Sequence, residues 1–546
     1  MGMKNKLVKI LPLFFVILIA IFLRIYQFGN VPSSMDWDEV AISYNAWSIA
    51  ETGMDEYGHK FPLVFRSFDD YKPPLYIYLS APLFKIFGPV DNLVRIPALI
   101  LGIFCVFGTY LLSRKLFKEE KVALAASFFI AVSPWSVHFS RVAFEGGTLL
   151  FFVVFGSYFF LKSSKKRSIS ILISLIFFGF GLYTYHAGKI IIPLILSVLV
   201  INQLSELKKL TKLQLSVFVL TGIIFVSPLI YGFLFSNIQA RFTATNIFSS
   251  SNINPISPLR KLRDIENNDN VSPKLFHNVN YYHLEQFVKN YLSHFSADFL
   301  FFTSDNPRHH APGVGLLLLA QLPLMIFGIY YLIKRNIPNS SKIVLFSLIF
   351  ISPIASALTF ESPHSIRSAL LVLPLSMLSG LGIFGLVNKK TTKIIFVYVV
   401  ISIVLFFNFY YFFHQYFFHN NLETAPSWQQ GRKEAAIFTK SNEDNYDEIW
   451  ISNKLEQSYI YWLFYQKINP KDYLSFGGTK AGDQGSDKNS YLKYSFKNIA
   501  QSSIPNDKKI LIIGLKDEFS LPKLKQVCSQ NNDTLIDIYE SQPASK

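Results

Sequence analysis

Eleven apolar runs, none of them holding an Asp or Glu, punctuate this chain of 546 residues. They lie at approximately 10–28, 93–113, 121–137, 147–161, 168–186, 188–203, 213–235, 313–333, 342–360, 368–387 and 393–413. A membrane-spanning helix needs roughly 20 apolar residues, so each run is expected to cross a bilayer. Composition agrees, since only 16% of residues are charged, against roughly 25% in ordinary soluble domains. The 54 Phe and 28 Tyr are far too much apolar surface for a disordered chain. Cys105 falls in an apolar run and Cys528 in a polar region, so neither a disulfide nor a thiolate metal site is expected.

Basic residues set the orientation, because they gather in cytoplasmic loops. With the N-terminus inside, the inner segments are 1–9, 114–121, 162–167, 204–212, 334–342 and 388–393, which hold 20 Lys and Arg between them. The short outer turns near 138–146, 186–189 and 361–367 hold one each: Arg141, Lys189 and Arg367. This placement accounts for much of the net charge of +16, and nucleic acid is not expected as a partner. The first run is long and lacks a small-residue cleavage site after it, so it reads as a span and not a signal peptide. The apolar segment 74–87 is short for a span, and crossing there would invert every later loop; it is expected to lie in the outer interface.

The expected fold is therefore a polytopic α-helical membrane protein of about 11 transmembrane helices. Residues 1–413 form the transmembrane part, with outer loops at 29–92 and 236–312, and residues 414–546 form a small extracytoplasmic α/β domain. Within the tail, helices are expected near 430–441, 455–467 and 522–530. Strands are expected near 447–452, 509–515 and 534–540, with a loop at 477–490.

Chemistry is expected at the outer interface, where the carboxylates, histidines and lone arginines collect. Asp36, Asp38 and Glu39 open the first outer loop; three carboxylates so close suggest either a general base, with or without a divalent metal nearby, or a solvated helix N-terminus where acids favour the dipole. In Asp69-Asp70-Tyr71-Lys72-Pro73-Pro74 the prolines fix an extended entry that places Lys72 at headgroup depth, where an ammonium can hold a phosphate. The turn His138–Glu145 carries Arg141 and Glu145, which would share a face if helical and could simply pair. His186 beside Tyr185 fits an interfacial aromatic belt equally well. The segment Asp305–His310 brings Arg308, His309 and His310. Adjacent histidines lack the i, i+4 spacing of a zinc pair, so phosphate or sugar contact is the more natural reading. His364 and Arg367 head the tenth span, and Arg367 is a candidate phosphate ligand.

Asp38-Glu39, Lys72-Pro73-Pro74-Leu75 and Arg95 in Arg95-Ile96-Pro97-Ala98-Leu99 together resemble the GT-C glycosyltransferases of the protein O-mannosyltransferase and lipid A aminoarabinose transferase superfamily. The resemblance implies that Asp38 deprotonates the acceptor and that Lys72 contacts a polyprenyl phosphate. It makes Glu145 the counterpart of an acidic residue opening the fourth span, where Asp is commoner. Arg308-His309-His310 and Pro363-His364-Ser365-Ile366-Arg367 look like motifs of a bacterial branch, and the tail has no matching counterpart.

On this reading a sugar moves, with inversion implied by the resemblance, from a polyprenyl-phosphate sugar to a lipid, glycan or protein acceptor at the outer face of the cytoplasmic membrane. Asp38, Glu39 and Glu145 are the expected catalytic residues. Lys72, Arg95, Arg308 and Arg367 are the expected donor-phosphate ligands, and Asp36, His138, Arg141, His186, His309, His310 and His364 the expected substrate contacts. The rival is a lipid-linked saccharide flippase or transporter, which would place ionisable groups deep within its spans.

Overall fold

The computed structural model describes residues 2–68, 70–162, 167–235, 245–248, 256–269, 271–387, 392–482, 488–505 and 507–541. Asp69, most of the basic segments 162–167 and 388–393, and parts of 236–312 and 477–490 lie outside them.

A helix occupies each apolar run, but the lengths differ from expectation. Among the described residues five helices are long and apolar enough to cross a membrane: 93–117, 212–234, 339–357, 369–386 and 396–423. Several other apolar helices are shorter, such as Gln321–Lys334 and Glu120–Val132. In the run at 313–333 the helix begins only at Gln321, because 313–320 takes an irregular path. Gly315 lies against the Phe301 backbone, where a Cβ would approach Phe301 C to 2.3 Å. Within the stretch 339–357, Pro353 falls at a turn between Asn339–Ile351 and Ile354–Ala357. The segment expected at the interface is the 13-residue helix Leu75–Phe87.

The chain divides into two compact units. One comprises residues 1–24, 101–140 and 145–412, and the other 25–100, 141–144 and 413–546. The tail and the first outer loop belong to the same unit.

In the helical unit Gln321–Lys334 packs against Val372–Val387, which packs against Glu120–Val132. Glycines permit the closest crossing, since a Cβ on Gly328 or Gly382 would sit 2.0 Å from the carbonyl oxygen of Leu378 or Leu324. Helix Lys212–Phe235 leaves Leu213, Ile224 and Ile230 exposed, an apolar surface suited to lipid.

The second unit centres on a mixed sheet ordered β4-β3-β5-β7-β6. Its strands are β3 (Glu448–Ser452), β4 (Tyr494–Lys497), β5 (Ile510–Leu515), β6 (Lys523–Cys528) and β7 (Thr534–Ser541). β3 pairs in parallel with β4 and β5, whereas β7 pairs antiparallel with β5 and β6. Alternation along the strands sends Ile449, Ile451, Leu511 and Ile513 to one face and Trp450, Ile510 and Ile512 to the other. The first face packs with Tyr459, Trp462 and Phe464 and with Tyr44, Trp47 and Ile49 of the first outer loop.

The helix expected near 522–530 is strand β6. Its sequence KLKQVC leaves lysines on an exposed edge, where charge discourages further strand pairing. Lys523 and Gln526 reach Asp537 of β7 at 2.8 and 3.0 Å. Strand β4 and the short helix Pro470–Ser475 had no counterpart in the expectation.

Candidate active site

In the sheet-bearing unit, helix Trp37–Thr52 starts with a capping box: Asp36 Oδ1 accepts from Glu39 N, and Glu39 Oε2 accepts from Asp36 N. The box fixes the helix entry and orients the first turn. The three clustered carboxylates then take different roles. Asp36 and Glu39 are fully buried, whereas the Asp38 side chain is 31% exposed.

Lys72 comes from the opposite direction. A hairpin pairs β1 (Phe65–Ser67) with β2 (Asp70–Lys72), in register Phe65 to Lys72. Pro73 and Pro74 then turn the chain into helix Leu75–Phe87. Lys72 Nζ lies 2.7 Å from Asp38 Oδ1, with its side chain only 5% exposed. A base candidate and a phosphate-binding candidate thus meet in one partly open pair.

Glu39 and Arg95 form a second, sealed pair. Arg95 Nε and Nη2 donate to the two Glu39 carboxylate oxygens at 2.8 and 2.6 Å. Its remaining donors reach Pro32 O at 2.9 Å and Ser34 O at 2.7 Å. Glu39 Oε1 also accepts from Ala143 N at 2.7 Å. Both side chains are wholly buried. Of the expected site residues, Glu39 and Arg95 thus contact each other, and Asp36 caps the helix.

Arg141 also turns to backbone. It lies in a turn between helices Pro134–Phe139 and Glu145–Leu161, so it does not share a helix face with Glu145. Its guanidinium donates to the carbonyls of Tyr26, Gln27 and Val31 at 2.7–3.0 Å and stacks over Phe417. It ties backbone together and has little left for substrate.

In the helical unit, Asp305 organises a second cluster. Asp305 Oδ2 accepts from His309 Nδ1 at 2.9 Å and Ser365 N at 2.8 Å, with His364 Nδ1 3.8 Å away. Ser365 Oγ bridges both carboxylate oxygens at 3.0 Å. Burial pushes the carboxyl up, but the two histidines and the Ser365 N–H outweigh it and hold Asp305 well below the usual range. Among the described residues this is the group of acidic and histidine side chains whose ligand atoms all lie within 4.8 Å of one another. The i, i+4 relation of Asp305 and His309 is legible in the sequence.

The remaining expected contacts scatter around this unit. His138 Nε2 lies 2.7 Å from Arg308 O, and His310 Nδ1 lies 2.8 Å from Ala311 O, with burial lowering its pKa. Arg367 donates to Thr359 Oγ1 at 2.7 Å and to Glu361 Oε2 at 3.0 Å. Buried Glu145 heads its helix, and His186 lies 3.4 Å from Lys189 Nζ.

Sequence reasoning missed Glu56. It is fully buried in the sheet-bearing unit and hydrogen-bonded by Asn45 at 2.9 Å, Tyr459 at 3.0 Å and Thr479 at 2.7 Å. Burial lifts its pKa from 4.5 to about 7.

Residues 71–231 match the model of the dolichyl-phosphate-mannose-protein mannosyltransferase family. A Bacillus subtilis (strain 168) mannosyltransferase candidate, YycA, is 27% identical over 220 residues, covering 39% of this chain and 30% of that protein. The match therefore spans under a third of the curated relative's length. Among solved structures, ArnT from Cupriavidus metallidurans bound to undecaprenyl phosphate superposes with a TM-score of 0.51 at 11% identity, over 98% of each chain. The oligosaccharyltransferase AglB from Archaeoglobus fulgidus, in complex with an inhibitory peptide and a dolichol-phosphate, gives 0.50 at 14% identity, over 85% of this chain and 64% of that one. At such identities the likeness is one of fold. The fold is that of ArnT and AglB, and the family-model match over 71–231 agrees with the expected resemblance to the protein mannosyltransferases over that part of the chain.

Proposed function

We propose that this protein transfers a sugar from a polyprenyl-phosphate sugar to a lipid, glycan or protein acceptor at the outer face of the cytoplasmic membrane. The observation that carries the reading is the contact between Lys72 and Asp38, in which the cation is the second residue of the family-model match and the acid is the exposed member of its cluster. The undecaprenyl phosphate of ArnT and the dolichol-phosphate of AglB support a lipid phosphate as the leaving group. The basic inner loops support an N-terminus inside and a tail outside.

In the proposed reaction a donor phosphate draws the Lys72 ammonium away from Asp38 Oδ1, so that donor binding frees the base. Asp38 then takes the proton of the acceptor's attacking group. That atom bonds to the anomeric carbon from the face opposite the phosphate, the bond to the phosphate oxygen breaks, and polyprenyl phosphate leaves with the electron pair. Lys72 stabilises the charge that develops on it. One base suffices, and the centre inverts. Glu39 and Arg95 act by holding the helix that carries Asp38.

Incubating the purified protein with a panel of polyprenyl-phosphate sugars and following free polyprenyl phosphate tests the activity. Release from one sugar class is expected. Release from none, across lipid, glycan and peptide acceptors, would contradict the reading.

A further inference from the structure

We propose that Asp305, His309 and His364 form a binding site for a borderline divalent cation of the zinc class. The inference goes beyond the proposed transferase reaction and concerns the helical unit alone.

Two imidazole nitrogens face one carboxylate oxygen: His309 Nδ1 at 2.9 Å and His364 Nδ1 at 3.8 Å from Asp305 Oδ2. The two rings lie 5.0 Å apart, tilted by 33°. A tetrahedral zinc with nitrogen and oxygen ligands at its usual bond lengths sets neighbouring ligand atoms roughly 3.3 Å apart. The two observed separations straddle that value, so a cation could enter with small side-chain shifts. His309 Nδ1 already hydrogen-bonds the Asp305 oxygen; with the cation bound, both imidazole nitrogens become ligands and any proton on them is released.

The surroundings are built as a ligand shell. Asp305 is fixed by the Ser365 N–H and hydroxyl and by Ser304 Oγ at 3.1 Å. The His364 backbone N–H points to His294 Nε2 at 3.4 Å, and His294 is itself held by Asn290 O at 2.8 Å. Such outer partners orient metal ligands. All three ligand side chains are largely buried, at 5, 10 and 15% exposure for His309, Asp305 and His364. Two imidazoles and one carboxylate select zinc-like ions over magnesium, which prefers oxygen ligands and retained water. The cation would join the loop after Phe302 to the turn at 362–368, which enters helix Val372–Val387.

The test uses tag-free, full-length protein in detergent, stripped with chelator and titrated with Co2+ and Zn2+. The wild type should take up one equivalent of Co2+ with the intense visible bands of a tetrahedral site, and Zn2+ should displace it. His309→Ala and His364→Ala should each weaken binding by about a hundredfold or more, whereas His186→Ala should leave it unchanged. Mg2+ should not compete. A wild-type protein without a stoichiometric tetrahedral cobalt spectrum would overturn the site, independently of how the variants fold. An unchanged spectrum in folded His309→Ala would overturn the assignment too. Neither result bears on sugar transfer, which is measured separately.

Discussion

Lys72 Nζ and Asp38 Oδ1 lie 2.7 Å apart, joining the end of a hairpin to the first turn of a helix. The ammonium is almost covered while the carboxylate keeps a third of its surface open. That asymmetry assigns different work to the two groups: the lysine is a placed charge, and the acid is the group that an incoming acceptor can reach.

Lys72→Ala should raise the apparent donor constant by about ten- to a hundredfold, because a charge-assisted contact to phosphate contributes roughly 1.5–3 kcal/mol. Lys72→Arg should restore it only in part, since a planar fork differs from a point charge. Donor titrations at saturating acceptor check this. Unchanged donor dependence with weakened acceptor use would move Lys72 to the acceptor side.

Arg95 and Glu39 should behave as a pair. Removing either partner leaves a buried charge uncompensated, a loss of about 3–5 kcal/mol. Arg95→Ala and Glu39→Ala should therefore both lower the melting temperature sharply, while any folded fraction keeps its donor dependence. An Arg95→Ala protein of normal stability with a raised donor constant would show that Arg95 touches the phosphate after all.

Much of this was legible in the sequence because hydropathy and charge placement are local signals. The helices fall on the apolar runs, and Asp38 and Lys72 are conspicuous beside their neighbours. What failed depended on contacts made far along the chain. Nothing within 36–39 shows that Glu39 is claimed by Arg95 while Asp38 stays open. Strand β6 mixes lysine with leucine in a pattern that suits a helix as well, and only its pairing with β7 decides. The tail looked independent because the aromatic face of helix Trp37–Thr52, with Tyr44 and Trp47, cannot be matched to Tyr459 and Trp462 from sequence alone.

Glu56 should make stability fall as pH rises. The folded carboxyl titrates near 7 and the unfolded one near 4.5. Below 4.5 both states are protonated and the stabilisation is complete. Between the two values the unfolded chain ionises while the folded one resists, so up to about 3 kcal/mol is lost by the time pH passes 7. Glu56→Gln should flatten that slope in thermal melts between pH 4.5 and 8. An identical slope in the variant would mean that Glu56 is not the group responsible.

Single-turnover transfer by Asp38→Asn decides whether Asp38 is the base. The rate should fall by on the order of 10²–10⁴, with donor binding within a few-fold of wild type. Near-normal turnover by Asp38→Asn, with both substrates present, would contradict it.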